Sequence, residues 1–328
     1  MKILVTGAAG FIGSHLTDKL LEIGHEVIGL DNLSNGKLDN LSNAFLSENF
    51  KFVEASILDI NKLKEIFNNI EVVYHLACLG VRHSLHSPFE NHKVNAEGTL
   101  NILELSRKTK VSKFFYISTS EIYGRAKSFP IKENDATYPL TVYGSSKLAG
   151  EHYTNSYFEC FGLDTTVLRI FNNYGPRAHY EGDCGEIIPR SIVRAIYGQN
   201  PVIFGNGNVT RDFFYVKDTA KILSDLLLKR DISGKTFNLG TGDEITMKSL
   251  ITNIVEYLEM DNIKIEYMPD RPADVPRLWV DNRKIKEIIS LDELMPFEDG
   301  LKETIRFYLN LKKEKNLLEE IDLINWKK

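Results

Sequence analysis

The sequence predicts an α/β protein: a doubly wound parallel sheet of the Rossmann type, followed by a smaller mixed α/β lobe. Three observations carry this reading. Short apolar runs alternate with amphipathic segments over the first half of the chain. The first two runs are joined by a glycine turn, Gly7-Ala8-Ala9-Gly10-Phe11-Ile12-Gly13. Past Gly175-Pro176 the alternation gives way to longer loops and isolated strands. Strands and helices alternating at short intervals form a parallel sheet with right-handed crossovers.

Ile3-Leu4-Val5 reads as the first strand, and Leu16, Leu20 and Leu21 recur behind it at helical spacing. A second run, Val27-Ile28-Gly29-Leu30, closes on Asp31 and completes a βαβ unit of dinucleotide-binding length. The glycines then have a mechanical role. Lacking a Cβ, Gly7 takes a tight turn, Gly10 lets the backbone approach a pyrophosphate, and Gly13 lets the helix pack on the sheet. The unpaired N–H groups of the helix's first turn point at the phosphates. Asp31 would accept from an adenosine ribose diol and repel a 2′-phosphate, so NAD is expected rather than NADP.

Residues 32–37 are rich in turn formers and read as a loop over the cofactor. Strands follow at 52–55, 72–77, 113–118 and 165–170, with helices at 61–67, 94–108 and 144–161 and a loop at 80–88. Ligands of such sheets lie beyond the carboxyl ends of the strands, which puts Gly7, Asp31, Ala77, Ser118 and Arg169 near one crevice. In the second half, isolated strands at 201–204 and 236–239 and helices at 187–197, 218–228 and 247–258 form the smaller lobe. The expected division is a dinucleotide domain at 1–175 and a substrate lobe at 176–328, with exchange of a strand or helix between them and substrate in the cleft. Residues 312–328 read as a solvated terminal helix.

Composition excludes several classes. With 43% hydrophobic and 26% charged residues and a net charge of -5, the chain has no basic field for nucleic acid or an anionic membrane. The first strand starts too early to leave room for a secretory leader, and no apolar run reaches transmembrane length, so a cytoplasmic enzyme is expected. Cys78, Cys160 and Cys184 lack C-x-x-C spacing, which predicts reduced thiols, at least two of them buried. No metal is expected. His179, Asp183 and Cys184 lack ligand spacing and read as part of a substrate-covering loop, and His83, His86 and His92 as loop or helix surface.

Tyr143 and Lys147 are four apart on a predicted helix and face the same way. A lysine ammonium beside a phenol favours phenolate, which makes the tyrosine a base near neutral pH. The spacing alone is weak, because Tyr123/Lys127 and Tyr308/Lys312 share it. Context separates them. Tyr123 adjoins the turn-forming Gly124, Tyr308 lies far from the nucleotide half, and only Tyr143 follows a strand ending in hydroxyls, Ser118-Thr119-Ser120. Thr119 could hydrogen-bond the sugar oxygen that Tyr143 deprotonates.

Taken with Asp31-Asn32, Leu76-Ala77, Thr119-Ser120-Glu121-x-Tyr123-Gly124, Arg169-x-x-Asn172 and Thr210-Arg211-Asp212-Phe213, these motifs resemble those of the extended short-chain dehydrogenase/reductases that act on nucleotide sugars. The resemblance covers nearly the whole chain. It implies a Tyr143 base, a Lys147 that also holds the nicotinamide ribose, and a Thr119 that fixes the sugar. It implies NAD contacts from Gly7, Gly10, Phe11, Ile12, Gly13, Asp31, Asn32, Ser34, Ile57, Leu76, Ala77, Asn95 and Ser118. Substrate contacts are implied for Arg82, Ser120, Asn172, Arg211, Arg271, Asp274 and Leu278, the last limiting the sugar pocket. Ser56 departs from the family, whose members often place an aspartate there for the adenine amine. Family members pair helices like 94–108 and 144–161 across a two-fold axis, which implies a homodimer.

The family's reactions share a 4-keto sugar and then diverge. Return of hydride to the other face is 4-epimerisation. Loss of the C6 hydroxyl is 4,6-dehydration, and loss of carbon dioxide from a uronate is decarboxylation. Gly80-Val81-Arg82-x-Ser84 resembles UDP-hexose and UDP-uronate 4-epimerases, whereas Glu121 resembles the glutamate that dehydratases and decarboxylases hold near C5. The leading expectation is therefore a UDP-sugar 4-epimerase, with dehydratase or decarboxylase as the alternative. A non-catalytic NAD-binding regulator on this fold would carry a broken triad, and Thr119, Tyr143 and Lys147 are all present.

Overall fold

The computed structural model describes residues 1–260 and 262–327. The apolar runs of the first half become strands of one sheet. In order they are β1 (Lys2–Thr6), α1 (Phe11–Glu22), β2 (Glu26–Asp31), β3 (Phe50–Glu54), α2 (Ile60–Ile66) and β4 (Val72–His75). Next come α3 (Val81–His86), α4 (Pro88–His92), a π-helical turn at Lys93–Gly98, α5 (Thr99–Lys108), β5 (Lys113–Thr119), α6 (Val142–Phe161) and β6 (Thr165–Ile170). The second half contributes β7 (Asn172–Tyr174), α7 (Ile187–Ile196), β8 (Val202–Phe204), β9 (Thr210–Arg211), β10 (Phe213–Tyr215) and α8 (Val216–Leu226). It ends with β11 (Lys235–Leu239), β12 (Ile245–Thr246), α9 (Met247–Tyr257), β13 (Glu266–Met268), β14 (Arg277–Leu278), α10 (Arg283–Lys286) and α11 (Phe297–Leu311).

Seven strands form the main sheet in the order β11-β6-β5-β4-β1-β2-β3, every neighbouring pair parallel. Both faces are covered, so the central strands are apolar throughout rather than alternating. Leu16 and Leu20 of α1 join Leu223 and Leu226 of α8 on one face, and Leu63, Ile102 and Leu103 cover the other. Tyr74 stacks on Phe115 at 4.5 Å, and its hydroxyl donates to the Leu223 carbonyl at 2.8 Å, which ties α8 to the centre of the sheet. The smaller lobe has its own core, in which α7, α9 and α11 pack Ile192, Leu250, Ile254 and Leu301 together.

Several local expectations are corrected. The strand expected to be isolated at 236–239 is β11, the seventh strand, paired with β6 from Lys235↔Thr166 to Leu239↔Ile170. Its backbone groups find partners on the edge that β6 would otherwise expose. With α8 beside α1, the second half thus returns to the dinucleotide layer. The segment 80–88, expected as a loop, holds α3 and the start of α4. Gly80 enters α3 in extended conformation, Pro88 takes the first turn of α4, and the Asn91 side chain donates to the carbonyls of Leu79 and Gly80. The expected terminal helix is displaced: α11 ends at Leu311, and 312–327 holds only a 3₁₀ turn at Leu317–Glu320 and an irregular run. Leu317 and Trp326 are buried rather than striped along a solvated helix. None of the three cysteines is fully buried; Cys160 is exposed and the others are intermediate.

His75 ends β4 between two hydroxyls, with Thr6 Oγ1 at 2.7 Å from Nδ1 and Thr99 Oγ1 at 2.9 Å from Nε2. Burial, with Lys147 nearby, holds its pKa at about 3. His15, bonded to the Pro176 carbonyl at 2.9 Å, is likewise held at about 3 by burial and Arg177. The unfolded chain protonates both near pH 6.5, and the fold resists until about 3. Stability conferred by the neutral rings is therefore complete above pH 6.5 and lost as pH falls toward 3, each histidine adding a slope of at most about 1.4 kcal/mol per pH unit. Urea unfolding across this window should show the decline, with a shallower slope in His75→Gln; an identical slope would refute the assignment.

Candidate active site

A single cleft runs along the carboxyl ends of the strands and on between the sheet and the smaller lobe, enclosing ≈ 490 Å³. That falls within the roughly 300–1,000 Å³ of small-molecule sites. At one end lies the turn between β1 and α1. Gly7 has φ +73°, and a Cβ there would lie 2.8 Å from the Ala77 nitrogen, so the turn abuts the end of β4. A Cβ on Gly13 would overlap the Gly7 carbonyl oxygen, whereas one on Gly10 would meet only that oxygen, at 3.2 Å. Gly10 caps α1 without a side chain, and no acidic residue stands in the helix's first turn. The N–H groups there face the cleft with a positive dipole behind them, which fits a pyrophosphate.

Asp31 receives N–H bonds from Ala9 at 3.0 Å and Leu33 at 2.8 Å, leaving lone pairs for a diol. Burial raises its pKa and those backbone donors oppose the rise. Asn32, Ser34, Ser56, Ile57, Leu76 and Ala77 line the same end with Phe11 and Ile12. Ser118 also lines the cleft, and its buried hydroxyl has no partner among the described residues. An open glycine turn, a partly satisfied acid and an unpartnered buried hydroxyl are the features a bound dinucleotide would complete.

In the middle of the cleft β5 delivers Thr119, the 3₁₀ turn at Ser120–Tyr123 delivers Ser120 and Glu121, and the first turns of α6 deliver Tyr143 and Lys147. The Thr141 hydroxyl caps α6 by accepting the Gly144 N–H at 3.1 Å. Lys147 is buried; its Nζ donates to the Ile117 carbonyl at 2.6 Å and lies 4.4 Å from the Tyr116 ring centroid. Burial lowers its pKa, while Cys78 and Glu151 oppose. The expected depression of the Tyr143 phenol is not built into the chain itself. Burial holds it well above its ordinary value, with Cys78, Glu121 and Glu186 adding to that and Thr119 opposing it. A cation bound beside the phenol would be needed to bring it down.

Toward the smaller lobe, Arg211 and Arg271 share one carboxylate. Each Nη2 lies 2.9 Å from Asp274 Oδ1. Two guanidinium groups against one acid leave positive charge facing the cleft, which suits a diphosphate. Arg82 lines it as well, its Nε buried without a partner and its pKa lowered to about 10 by burial and by Arg271. Asn172 likewise has a buried, unpartnered Oδ1. Burial raises the pKa of Glu121, against the pull of Arg211, Arg271 and Arg82.

Some expected residues lie elsewhere. Leu278 is fully buried in an apolar cluster with Ile122, Phe171 and Val280, and does not line the cleft. Asn95 is occupied by Leu79, Asn91 and Ser146 and is also set back from it. Arg169 leaves the crevice for the opposite side of β6, where it pairs with Glu151 at 2.8 Å and donates to Tyr123 at 2.8 Å. Beside Leu278, Arg277, which is outside the expected contacts, pairs with Glu244 and packs on Phe129 and Trp279. Tyr123 is consumed by Asn238 and Arg169, and Tyr308 by the Ala178 carbonyl. His83 and His86 are not surface residues: they lie on α3 with little exposure, facing Glu90 and Asp183 respectively. Glu186, Arg190, Arg194, Phe204 and Trp326 line the cleft without having been foreseen. They belong to no short motif, although Glu186 opening α7 after a glycine-rich loop was a usable sign.

The sequence matches the GDP-mannose 4,6 dehydratase family over residues 4–304. It is 35% identical over 317 residues to the UDP-glucose 4-epimerase of Mycolicibacterium smegmatis, covering 94% of this chain and 99% of that protein. The UDP-glucose 4-epimerase of Thermotoga maritima, solved with UDP-glucose, superposes with a TM-score of 0.89 at 36% identity, covering 95% of this chain and 100% of that one. A mutant UDP-glucuronic acid 4-epimerase of Bacillus cereus, solved with UDP-4-deoxy-4-fluoro-glucuronic acid and NAD, superposes with a TM-score of 0.89 at 32% identity, covering 95% and 100%.

The glycine turn yields a paired test. Gly10→Ala, whose methyl would meet only the Gly7 carbonyl oxygen, at 3.2 Å, should still fold and weaken NAD+ binding at least tenfold by calorimetry. Gly13→Ala should lose folded protein or binding outright, since neither backbone in contact can yield. Wild-type affinity in either variant would overturn this account of the turn.

Proposed function

The chain belongs to the GDP-mannose 4,6-dehydratase family of extended short-chain dehydrogenase/reductases, and from that membership we propose that it is a UDP-sugar 4-epimerase. It is an NAD-dependent enzyme of nucleotide sugars. The observation that carries the reading is the order of groups along one cleft: open glycine turn, then Thr119 with Tyr143, then the guanidinium pair on Asp274. A nucleotide sugar laid along it presents its hexose to Tyr143 and its diphosphate to Arg211 and Arg271.

NAD, when bound, supplies reversible hydride transfer at C4 of the sugar. Tyr143 takes the O4 proton as the ketone forms and gives it back on reduction, so one phenol serves both half-reactions. Thr119 orients O4 beside it. The Lys147 ammonium, fixed by the Ile117 carbonyl, adds positive charge to the buried middle of the cleft. Epimerisation requires the keto sugar to turn over before hydride returns to its other face.

Glu121 supports a second reading, dehydration or decarboxylation, because a buried carboxyl of raised pKa is suited to proton transfer at C5. Its neighbour Ser120 favours the first, since a hydroxyl is a poor acid for a departing C6 oxygen. Incubation with UDP-glucose, UDP-N-acetylglucosamine or UDP-glucuronate should give a product of unchanged mass and new retention time. Tyr143→Phe should lower turnover at least a hundredfold, and Glu121→Gln less than tenfold. Loss of water or carbon dioxide, with Glu121→Gln inactive, would establish the second reading.

We further propose a cytoplasmic homodimer joined through α5 and α6, where Leu100, Val142 and Phe161 are exposed. Among the described residues no helix is long and apolar enough to cross a membrane. Sedimentation at micromolar concentration should give twice the chain mass; monomer alone would refute the pairing.

A further inference from the structure

The family match ends at residue 304, yet the chain runs on past α11 and back to the cleft. The returning segment is fastened at several points. Tyr180 donates to Glu320 Oε2 at 2.8 Å, and Lys37 approaches the same oxygen at 3.7 Å. Arg190 donates to the carbonyls of Asp322 and Leu323. The Asn325 side chain, 4% exposed, donates to the carbonyls of Gly182 at 3.0 Å and Gly185 at 3.1 Å. These anchors set Trp326 edge-on to Phe204, ring centroids 4.6 Å apart and planes at 79°, and both rings line the cleft.

Their place along the cleft gives them a partner. The dinucleotide end is at Gly7 and Asp31, the chemistry at Tyr143, and the guanidinium pair beyond it. The wall contributed by the smaller lobe holds Val202, Phe204, Val209, Met247 and Trp326, apolar and aromatic, with the guanidinium groups of Arg190 and Arg194 among them. A nucleoside diphosphate whose phosphates sit on Arg211 and Arg271 would put its base against this wall. We propose that Trp326 is a binding residue for the nucleobase of the substrate, forming with Phe204 a corner into which the base packs. The inference rests on the nucleotide-sugar reading above and adds to it a side chain from outside the family's matched region. An indole offers a large rigid face to any base, and aromatic contacts of this kind add strongly to nucleotide affinity.

The chain holds two tryptophans, so Trp279→Phe leaves Trp326 as the only indole. Titrating that variant with UDP should change its fluorescence saturably, and no change at saturating UDP would overturn the proposal. Calorimetry with UDP should show Trp326→Ala binding at least tenfold more weakly than wild type, about 1.4 kcal/mol, with Trp326→Phe recovering most of the loss. NAD+ affinity of Trp326→Ala should stay within twofold of wild type, which separates loss of the wall from loss of the fold. If wild type binds UDP and Trp326→Ala binds it equally, this inference alone falls. If wild type binds none of UDP, dTDP and GDP, the nucleotide-sugar reading falls and takes the inference with it.

Discussion

The close approach of the β1–α1 turn to the end of β4 is the constraint on which the rest of the site depends. Gly7 touches Ala77, and α1 begins where Gly13 meets the Gly7 carbonyl, so the turn has no room to relax. That contact fixes the direction of α1 and with it the row of N–H groups at its start. The parallel ladders from β1 to β4 and from β4 to β5 then set where β5 lies. Thr119 leaves β5 two strands away from the turn, and Tyr143 follows on the helix after it. The distance between phosphate cradle and phenol is thus set by sheet geometry, roughly 4.8 Å per strand, rather than by any flexible loop.

Legibility in the sequence follows the same division. Residues acting through local backbone geometry were readable: the glycines, Asp31 at its strand end, and Tyr143 with Lys147 one helical turn apart. Residues whose role depends on distant partners were not. Arg169 stands at the right end of the right strand, but Glu151 on α6 draws it to the opposite side. Asn95 is taken up by Leu79 ahead of α3, Asn91 on α4 and Ser146 on α6, contacts that only the folded chain creates. Leu278 is a leucine in a core cluster, and no spacing rule separates that from a pocket wall. Residues 312–328 read as a solvated helix because charge dominates their composition, yet Leu317 and Trp326 are held by partners more than a hundred positions upstream.

Electrostatics divides the cleft into stages. The buried middle holds Tyr143 above and Lys147 below their ordinary values, both chiefly by desolvation. Carboxylates nearby, Glu121 and Glu186, reinforce the neutral phenol. A positive charge brought in beside Tyr143 therefore acts against a low-dielectric background, where it has more effect than it would in water. Burial, which disfavours the phenolate in isolation, is what makes the proton affinity of Tyr143 responsive to occupancy of the dinucleotide end.

The carboxyl of Glu121 is subject to the opposite balance. Burial lifts its pKa, while Arg211, Arg271 and Arg82 pull it down. Phosphates seated on Arg211 and Arg271 would neutralise two of these three cations, and the remaining pull would come from Arg82. A diphosphate thus pushes Glu121 toward its protonated form at the moment substrate arrives. A rise in the proton affinity of Glu121 makes it a better acid toward C5, as decarboxylation needs, and Glu186, buried in the same cleft with its own pKa raised, is a second carboxyl there. Under the 4-epimerase reading proposed above, neither carboxyl is required, because the Tyr143 phenol alone supplies the proton exchange at O4 that return of hydride to C4 demands.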